Sequence, residues 1–295
     1  MKKFTRACFV FLIVFFVFTS FSCISIKDDI LLHVAKSAAV AVMENADTIE
    51  NALQDFTPEQ EYYIGRSVAA QILTRYDLYE SKMMDKYLNY ICASLVANSD
   101  VNFPYKGYSI GIMDTNEINA FATSGGHILI SKGLINCAKS EDALAAVIAH
   151  EIAHIQLKHN INAISANRKS EALSKIGLSF YNDYTDGKNK ELLNIFDEII
   201  TEGISSLVDS GYSKVQEFDA DKKALAIMAS AGYNPEAMRD ILSVLKEDNR
   251  KIGWGKTHPS PKKRLNNLEK EYKKYNVPDT SASRESRFAI AMKYF

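Results

Sequence analysis

Apolar residues recur three and four positions apart along most of the chain, which is the spacing of one face of an α-helix. This spacing predicts an amphipathic helix from Ile30 to Leu53. Thr57 and Gln60 then form a predicted capping box, in which each side chain can satisfy a backbone N–H of the other residue. We expect the helix that they open to run to about Tyr76, and a second helix to cover about Ser81 to Ala97.

Short runs rich in β-branched residues follow in the middle of the chain. Residues 108–113 and 120–130 have this composition, and Gly125-Gly126 interrupts the second run. Such runs are typical of short strands joined by tight turns. They predict one small sheet in an otherwise helical chain, so the expected fold class is α+β.

Helix-start signals return after the sheet. Ser140, followed by acidic residues, predicts a helix that continues to about Asn160. Ser213 opens another predicted helix with a capping box, and further helices are expected to start at Asn234-Pro235 and at Ser260-Pro261. The part of the chain after the sheet is therefore predicted to be helical throughout.

The first residues have the arrangement of an export signal. A positive start, Met1-Lys2-Lys3, precedes an apolar run from Ala7 to Phe18 that is too short for a membrane span of about 20 residues. We therefore expect residues 1–22 to be a signal peptide. Cys23 directly follows the small Ser22, which predicts a bacterial lipoprotein that is lipidated at this cysteine, on the periplasmic side of the cell envelope. Simple secretion and a retained N-terminal anchor remain alternatives, and all three export the rest of the chain.

Overall composition narrows the class of protein. Of the 295 residues 47% are hydrophobic and 24% are charged, which is typical of an ordered globular protein. The formal net charge of −1 gives no indication of the basic surface that a nucleic-acid-binding protein needs. Cys92 lies in an apolar helical pattern and is expected to be a buried thiol, although export would permit a disulfide with Cys137.

A metal-binding pattern stands inside the helix that Ser140 opens. Residues 150–154 read His-Glu-Ile-Ala-His, and two histidines four positions apart lie on the same face of a helix, so both imidazoles can bind one ion. Glu151 is offset by one position, which places its carboxylate beside the ion as a general base. A buried helix gains nothing from two imidazoles and a carboxylate without such a role, because each would need a buried partner.

A third ligand is expected from a distant helix. Zinc in hydrolases takes three protein ligands and leaves its fourth position to water. His159 is predicted to lie on the same helix as His154 but to point about 140° away, as a structural or surface residue. Glu217 and Asp221 stand four positions apart on another helix. We expect Glu217 to complete the ligand set and Asp221 to accept a hydrogen bond from a ligand imidazole.

Several further motifs, in order along the chain, carry a family resemblance. The sequence resembles the HtpX-like and CAAX-prenyl-protease-like gluzincin metallopeptidases (peptidase family M48), in their periplasmic form, over roughly residues 57–266. The motifs that carry it, besides the histidine pair, are Asn119-Ala120-Phe121-Ala122, Gly126 to Leu134, Glu141 to Val147, Glu217 to Asp221, Gly232 to Pro235, and Thr257 to Ser260 with Arg264.

The resemblance implies a zincin-like domain with one Zn²⁺ per chain and the sheet beside the active-site helix. It implies that the strand with Asn119 and Ala120 binds an extended substrate backbone. It also implies that His258 lies near the metal, where it occupies or guards the open position or stabilises the oxyanion. Arg264 is expected to orient Asp221 or the substrate.

The predicted domain organisation follows from these elements. Residues 23–56 are expected to be a tether with an amphipathic helix, and residues 57–275 the zinc metallopeptidase domain. Within the domain, residues 161–211 have the pattern of a helical insertion that could cover the cleft as a lid. Residues 276–295 are expected to be a C-terminal tail.

The predicted function is that of a zinc endopeptidase acting on misfolded or unassembled envelope proteins. A protein of another class, a zinc-stabilised chaperone or assembly factor for outer-membrane proteins with little turnover, remains the alternative. The two readings share the metal site and the peptide-binding strand, so they differ only in whether Glu151 is needed.

Overall fold

The computed structural model describes five parts of the chain: residues 55–165, 211–247, 258, 261–275 and 281–295. The predicted signal peptide 1–22, Cys23, nearly all of the tether 23–56 and most of the insertion 161–211 lie outside the described residues, so the expectations for them stay predictions. The helices and strands named below all belong to one compact unit, Phe56–Ala163 with Glu202–Phe295.

Helices and one small sheet make up this unit, so the expected α+β class is confirmed. In chain order the elements are α1 (Pro58–Ile72), α2 (Lys82–Ala97), β1 (Ser109–Met113), β2 (Ala120–Thr123), β3 (His127–Ser131), α3 (Lys132–Cys137), α4 (Glu141–Gln156), α5 (Lys214–Ser230), α6 (Ala237–Glu247), α7 (Pro261–Leu268), a 3₁₀ turn (Tyr272–Lys274) and α8 (Ser281–Lys293). No helix among the described residues is both long and apolar enough to cross a membrane.

The two predicted capping boxes are confirmed. At α1 the Thr57 hydroxyl accepts from the Gln60 N–H, while the Gln60 side chain accepts from the Thr57 N–H. Ser213 and Gln216 form the same reciprocal pair at the start of α5. Such pairs satisfy backbone donors that have no partner inside the helix, so they fix where each helix begins.

The sheet places β2 at an edge. Its strand order is β1-β3-β2, with β1 parallel and β2 antiparallel to β3. The carbonyl of Asn119 accepts from the Ser131 N–H of β3 at 3.0 Å. Backbone groups alternate in direction along an antiparallel strand, so Phe121 and Thr123 also face β3, while Ala120 and Ala122 turn their N–H and C=O groups outward.

Helix α4 runs through the centre of the core. Every residue from Glu141 to His154 is buried, and the helix is packed between β2, α2, α5 and α6. Apolar residues between Ala143 and Ala149 cover every face of the helix, which is typical of such a central position. The two cysteines Cys92 and Cys137 are buried and are not joined by a disulfide, as the sequence favoured.

A close backbone approach holds α1 against the turn between β2 and β3. A Cβ atom on Gly65 would lie 1.5 Å from the carbonyl oxygen of Ser124, and a Cβ atom on Gly125, whose φ is 79°, would lie 2.3 Å from the Cα of Tyr62. Only glycine permits both the contact and the backbone angle. This packing brings Val68 and Ile72 of α1 over the outer edge of β2.

The C-terminal segment 276–295, which we expected to be a tail, contains the helix α8 that packs on α2 and α4. Phe288 and Ala291 of α8 join the core. Arg284 pairs with Asp142 at 2.8 Å, and Arg287 pairs with the fully buried Glu141 at 2.6 Å. The apolar contacts of α8 and its two ion pairs to the buried start of α4 explain why this segment packs on the domain.

The ion pair between Arg284 and Asp142 should matter for stability because both side chains are nearly buried. The substitution Arg284→Ala leaves Asp142 without its cation, and we expect it to lower the free energy of unfolding by about 3 kcal/mol. Lys274→Ala is the matched control, because it removes an ion pair whose lysine is 60% exposed, and it should cost less than about 1 kcal/mol. Urea unfolding of the two variants measures their free energies of unfolding. An equal loss of stability in both would contradict a stabilising role for the Arg284–Asp142 pair.

Candidate metal centre

Four buried side chains converge at the centre of the domain. His150 and His154 come from α4, Glu217 from α5, and His258 from the chain before α7. One nitrogen or oxygen of each lies within 4.8 Å of the corresponding atom of the other three. The structure thus brings together all three predicted ligands and adds the donor atom of His258 to the same group.

Distances within this group suit a small tetrahedral ion. The two Nε2 atoms of His150 and His154 are 3.1 Å apart, and they lie 3.5 Å and 3.3 Å from the two carboxylate oxygens of Glu217. Four ligands with bonds of about 2.0–2.1 Å around zinc are separated by roughly 3.4 Å. The residues present therefore fit a zinc-sized ion in both their chemistry and their spacing.

The electrostatics of the group keep Glu217 anionic. Burial by itself would raise the pKa of this carboxyl, but the imidazoles of His258, His150 and His154 hold it well below its usual value. Burial lowers the pKa of His154 to about 3. An anionic carboxylate and a neutral imidazole are the forms in which these side chains bind a metal.

His150 is oriented by a buried pair behind it. Its Nδ1 lies 3.0 Å from Asp221, and Arg264 donates to both oxygens of that carboxylate, in one case at 2.9 Å. Burial and Arg264 disfavour the charged imidazole, but Asp221 and Glu217 outweigh them and raise the pKa of His150 to about 9. A hydrogen bond from Nδ1 to Asp221 leaves Nε2 to face the site. The structure places Asp221 and Arg264 together as the sequence analysis expected.

The expectation that His159 points away from the site is wrong. It assumed a straight helix to Asn160, but α4 ends at Gln156 and Lys158 adopts a φ of 55°, after which helical turns resume at His159. This break brings Nδ1 of His159 to 2.9 Å from Nδ1 of His154. His159 therefore contacts the nitrogen of His154 that faces away from the site, just as Asp221 contacts the outer nitrogen of His150.

Tyr212, which the sequence patterns did not predict as part of the site, covers one face of the His154 ring. The ring of Tyr212 stacks on that imidazole with centroids 4.0 Å apart and an interplanar angle of 19°. Its hydroxyl donates to the carbonyl of Ala122 on β2 at 3.3 Å. Tyr212 directly precedes Ser213, the N-cap of α5, and lies five residues before Glu217. This closeness in sequence to a predicted ligand is the signal by which Tyr212 could have been predicted.

Glu151 lies beside the converging donors rather than among them. It is buried, and among the described residues neither of its carboxylate oxygens has a hydrogen-bond partner. Burial raises the pKa of this carboxyl above its ordinary value. A buried carboxylate without hydrogen-bond partners is costly, so folding alone gives no reason for Glu151 to lie here, and such a group is a candidate for a functional role.

A narrow cleft joins Glu151 to the outer edge of β2. Its volume is about 20 Å³, and it is lined by Glu151, His258, Tyr212, Asn160, Ala120 and Ala122, among others. Asn119 and Ala120 were predicted to bind substrate. Of these two, Ala120 lines the cleft and turns its backbone N–H away from β3. The backbone N–H and C=O of Asn119 are bonded to Ser131 within the sheet, and its side chain accepts from the Ala120 N–H at 3.0 Å.

Comparisons with known proteins agree with this geometry. The family model of Peptidase family M48 matches residues 82–272. The beta-barrel assembly-enhancing protease of Yersinia pestis is 24% identical over 236 residues, which cover 78% of this chain and 48% of the relative. The mitochondrial metalloendopeptidase OMA1 of Schizosaccharomyces pombe is 27% identical over 172 residues, which cover 57% of this chain and 46% of the relative.

The chain belongs to peptidase family M48, as the motifs in its sequence predicted. The match spans α2 to the 3₁₀ turn and therefore contains every side chain that converges on the site. The chain spans about half the length of the relatives named here.

If His159 holds the outer nitrogen of His154, its removal should weaken metal binding. The substitution His159→Phe keeps an aromatic ring of similar size but removes Nδ1, and we expect the affinity for Zn²⁺ to fall about 10- to 100-fold. Competition with a chromophoric chelator measures this affinity. His127→Phe is the matched control, because His127 lies on β3 with its ring against Tyr62. Equal affinities for the two variants would refute the role of His159.

Proposed function

We propose that this member of peptidase family M48 is a zinc-dependent endopeptidase that hydrolyses peptide bonds in exported, misfolded or unassembled envelope proteins. The observation that carries the proposal is the buried convergence of His150, His154 and Glu217 next to a carboxylate without hydrogen-bond partners among the described residues. The names of the relatives, a beta-barrel assembly-enhancing protease and a mitochondrial metalloendopeptidase, support a metal-dependent endopeptidase, and the first of them supports a connection with β-barrel proteins.

His150, His154 and Glu217 would hold one zinc ion per chain. When bound there, zinc supplies Lewis acidity, which lowers the pKa of a water toward about 7 and polarises the scissile carbonyl. The protein contributes the neutral imidazole of His154, the anionic carboxylate of Glu217 and a buried site in which charges interact strongly, while His150 gives up its proton when it binds the ion. Asp221 and Arg264 keep His150 in the orientation that this requires.

Glu151 would move the proton. Its buried carboxylate takes a proton from the attacking water and then passes it to the leaving amine. The raised pKa of Glu151 suits this exchange, because a base that must also act as an acid works best with a pKa near the working pH.

An extended substrate would bind along the outer edge of β2. Ala120 and Ala122 turn their backbone groups to that edge, which lies beside Glu151 in the same cleft. Pairing with an edge strand fixes the substrate backbone without reading its sequence, which fits clients that share only an unfolded state. We propose this edge, with the side chain of Asn119 at its start, as the substrate-binding element.

Localisation and regulation extend the proposal to parts of the chain outside the described residues. We propose that residues 1–22 are removed and that Cys23 carries a lipid on the periplasmic side of a bacterial membrane. We also propose that residues 161–211 act as a lid. The support for both lies in the sequence patterns of these segments.

A chaperone or assembly factor is the second candidate. The outward-facing backbone groups of β2 would serve to bind an extended chain whether or not it is cut, and the name of the bacterial relative refers to β-barrel assembly. In that case the metal would only stabilise the domain. The two candidates make different demands on Glu151, since only hydrolysis needs a base.

The substitution Glu151→Gln separates the two functions. It keeps the shape of the side chain but removes the base, so we expect unchanged zinc content and a loss of cleavage of about 10²- to 10⁴-fold. Zinc analysis and the digestion of an unfolded outer-membrane protein measure both quantities. Cleavage at the wild-type rate would overturn the mechanism. Full rescue of a deletion strain by the variant would favour the chaperone.

His258 gives a second test of the site. Its Nδ1 lies 2.8 Å from a carboxylate oxygen of Glu217, within the same group of four donors. We propose that His258 stabilises the charge that develops on the substrate carbonyl. His258→Ala should then retain zinc, because three ligands remain, and should lower kcat about 10²-fold. Steady-state kinetics with zinc analysis measures this, and a variant that cleaves faster would show that His258 guards the site instead.

A further inference from the structure

The outer edge of β2 is already occupied by the protein's own side chains. Ala120 and Ala122 are the residues of this strand that turn their backbone groups outward. The N–H of Ala120 donates to the side chain of Asn119 at 3.0 Å, and the carbonyl of Ala122 accepts from the hydroxyl of Tyr212 at 3.3 Å. An approaching polypeptide therefore meets an edge on which the Ala120 N–H and the Ala122 carbonyl already have hydrogen-bond partners.

Space in the cleft leads to the same conclusion. Its volume of about 20 Å³ is enough for roughly one water and far too small for a peptide. Val68 and Ile72 of α1 and the ring of Tyr212 close it on the side where a substrate strand would lie. One of these groups has to leave before an extended chain can pair with β2.

Tyr212 is the group best placed to leave. It is joined to β2 by a single long hydrogen bond, and Asn160 also interacts with its hydroxyl. It follows Gly211, which has a φ of 67° that other residues rarely adopt, so the backbone bends directly before it. In contrast, α1 is locked to the sheet by the close approach at Gly65.

We propose that Tyr212 is a substrate-mimicking latch. Its hydroxyl holds the position on the Ala122 carbonyl that a backbone N–H of the substrate takes, and binding exchanges one donor for the other. The closed ring lies on His154, so the latch also covers the metal site until a substrate arrives. This inference rests on the proposed function, because it assumes that an extended polypeptide binds along β2.

The test removes only the hydroxyl. Tyr212→Phe keeps the ring that stacks on His154 but cannot donate to Ala122. The substrate then no longer has to break the hydrogen bond between Tyr212 and Ala122 before it binds. A neutral hydrogen bond of this kind corresponds to about a fivefold change in affinity. We therefore expect the double variant Glu151→Gln, Tyr212→Phe to bind an unfolded polypeptide about fivefold more tightly than Glu151→Gln alone.

Binding is measured by fluorescence anisotropy with labelled lactalbumin that has been reduced and carboxymethylated. The matched control is Tyr87→Phe in the same Glu151→Gln background, since Tyr87 also loses one hydroxyl hydrogen bond, to Glu141, outside the cleft. The control should bind with unchanged affinity. Equal or weaker binding by the Tyr212 variant would overturn the latch, because a merely structural hydroxyl could only weaken binding when it is lost.

Kinetics in the presence of Glu151 separates the latch from a direct role in the reaction. Tyr212→Phe should lower KM about fivefold without lowering kcat. A lower kcat at unchanged KM would mean that the hydroxyl acts on the reacting atoms, which contradicts the proposal. The binding assay needs no turnover, so tighter binding together with an inactive wild type would refute the endopeptidase while the latch stands.

Discussion

Placing titratable side chains inside an apolar core is the constraint that shapes this protein. Helix α4 is buried from Glu141 to His154, yet this buried stretch carries two imidazoles and three carboxyl groups. Each such group must be paired, because an isolated buried charge costs far more than one hydrogen bond contributes. The surrounding elements are arranged to supply those partners.

The pairing has the same form at both ends of α4. At its start, two arginines of α8 and the hydroxyls of two tyrosines meet the carboxylates of Glu141 and Asp142. Near its end, Asp221 and His159 take the outer nitrogens of the two histidines. Glu151 alone among these acidic and imidazole groups has no such partner among the described residues, and this contrast is why we propose it as the general base.

Local sequence was sufficient for the parts of the site that a regular helix determines. The spacing of His150 and His154, and of Glu217 and Asp221, follows from helix geometry, so their shared faces could be predicted. Reliable capping signals likewise fixed the starts of α1 and α5. The break at Lys158 could not be predicted, because a left-handed lysine is set by tertiary packing and not by its own preference. The position of His159 and the packing of α8 depend on contacts far along the chain and were missed for the same reason.

The start of α5 links access to the site with its integrity. Tyr212 and Glu217 are only five residues apart, so a movement of the tyrosine could in principle disturb the ligand. The capping box at Ser213 stands between them and gives α5 a beginning that does not depend on the residues before it. Tyr212 can therefore swing about Gly211 while Glu217 keeps its place between the two histidines. A latch directly outside a capped helix opens the cleft without releasing the metal, which a latch within the helix could not do.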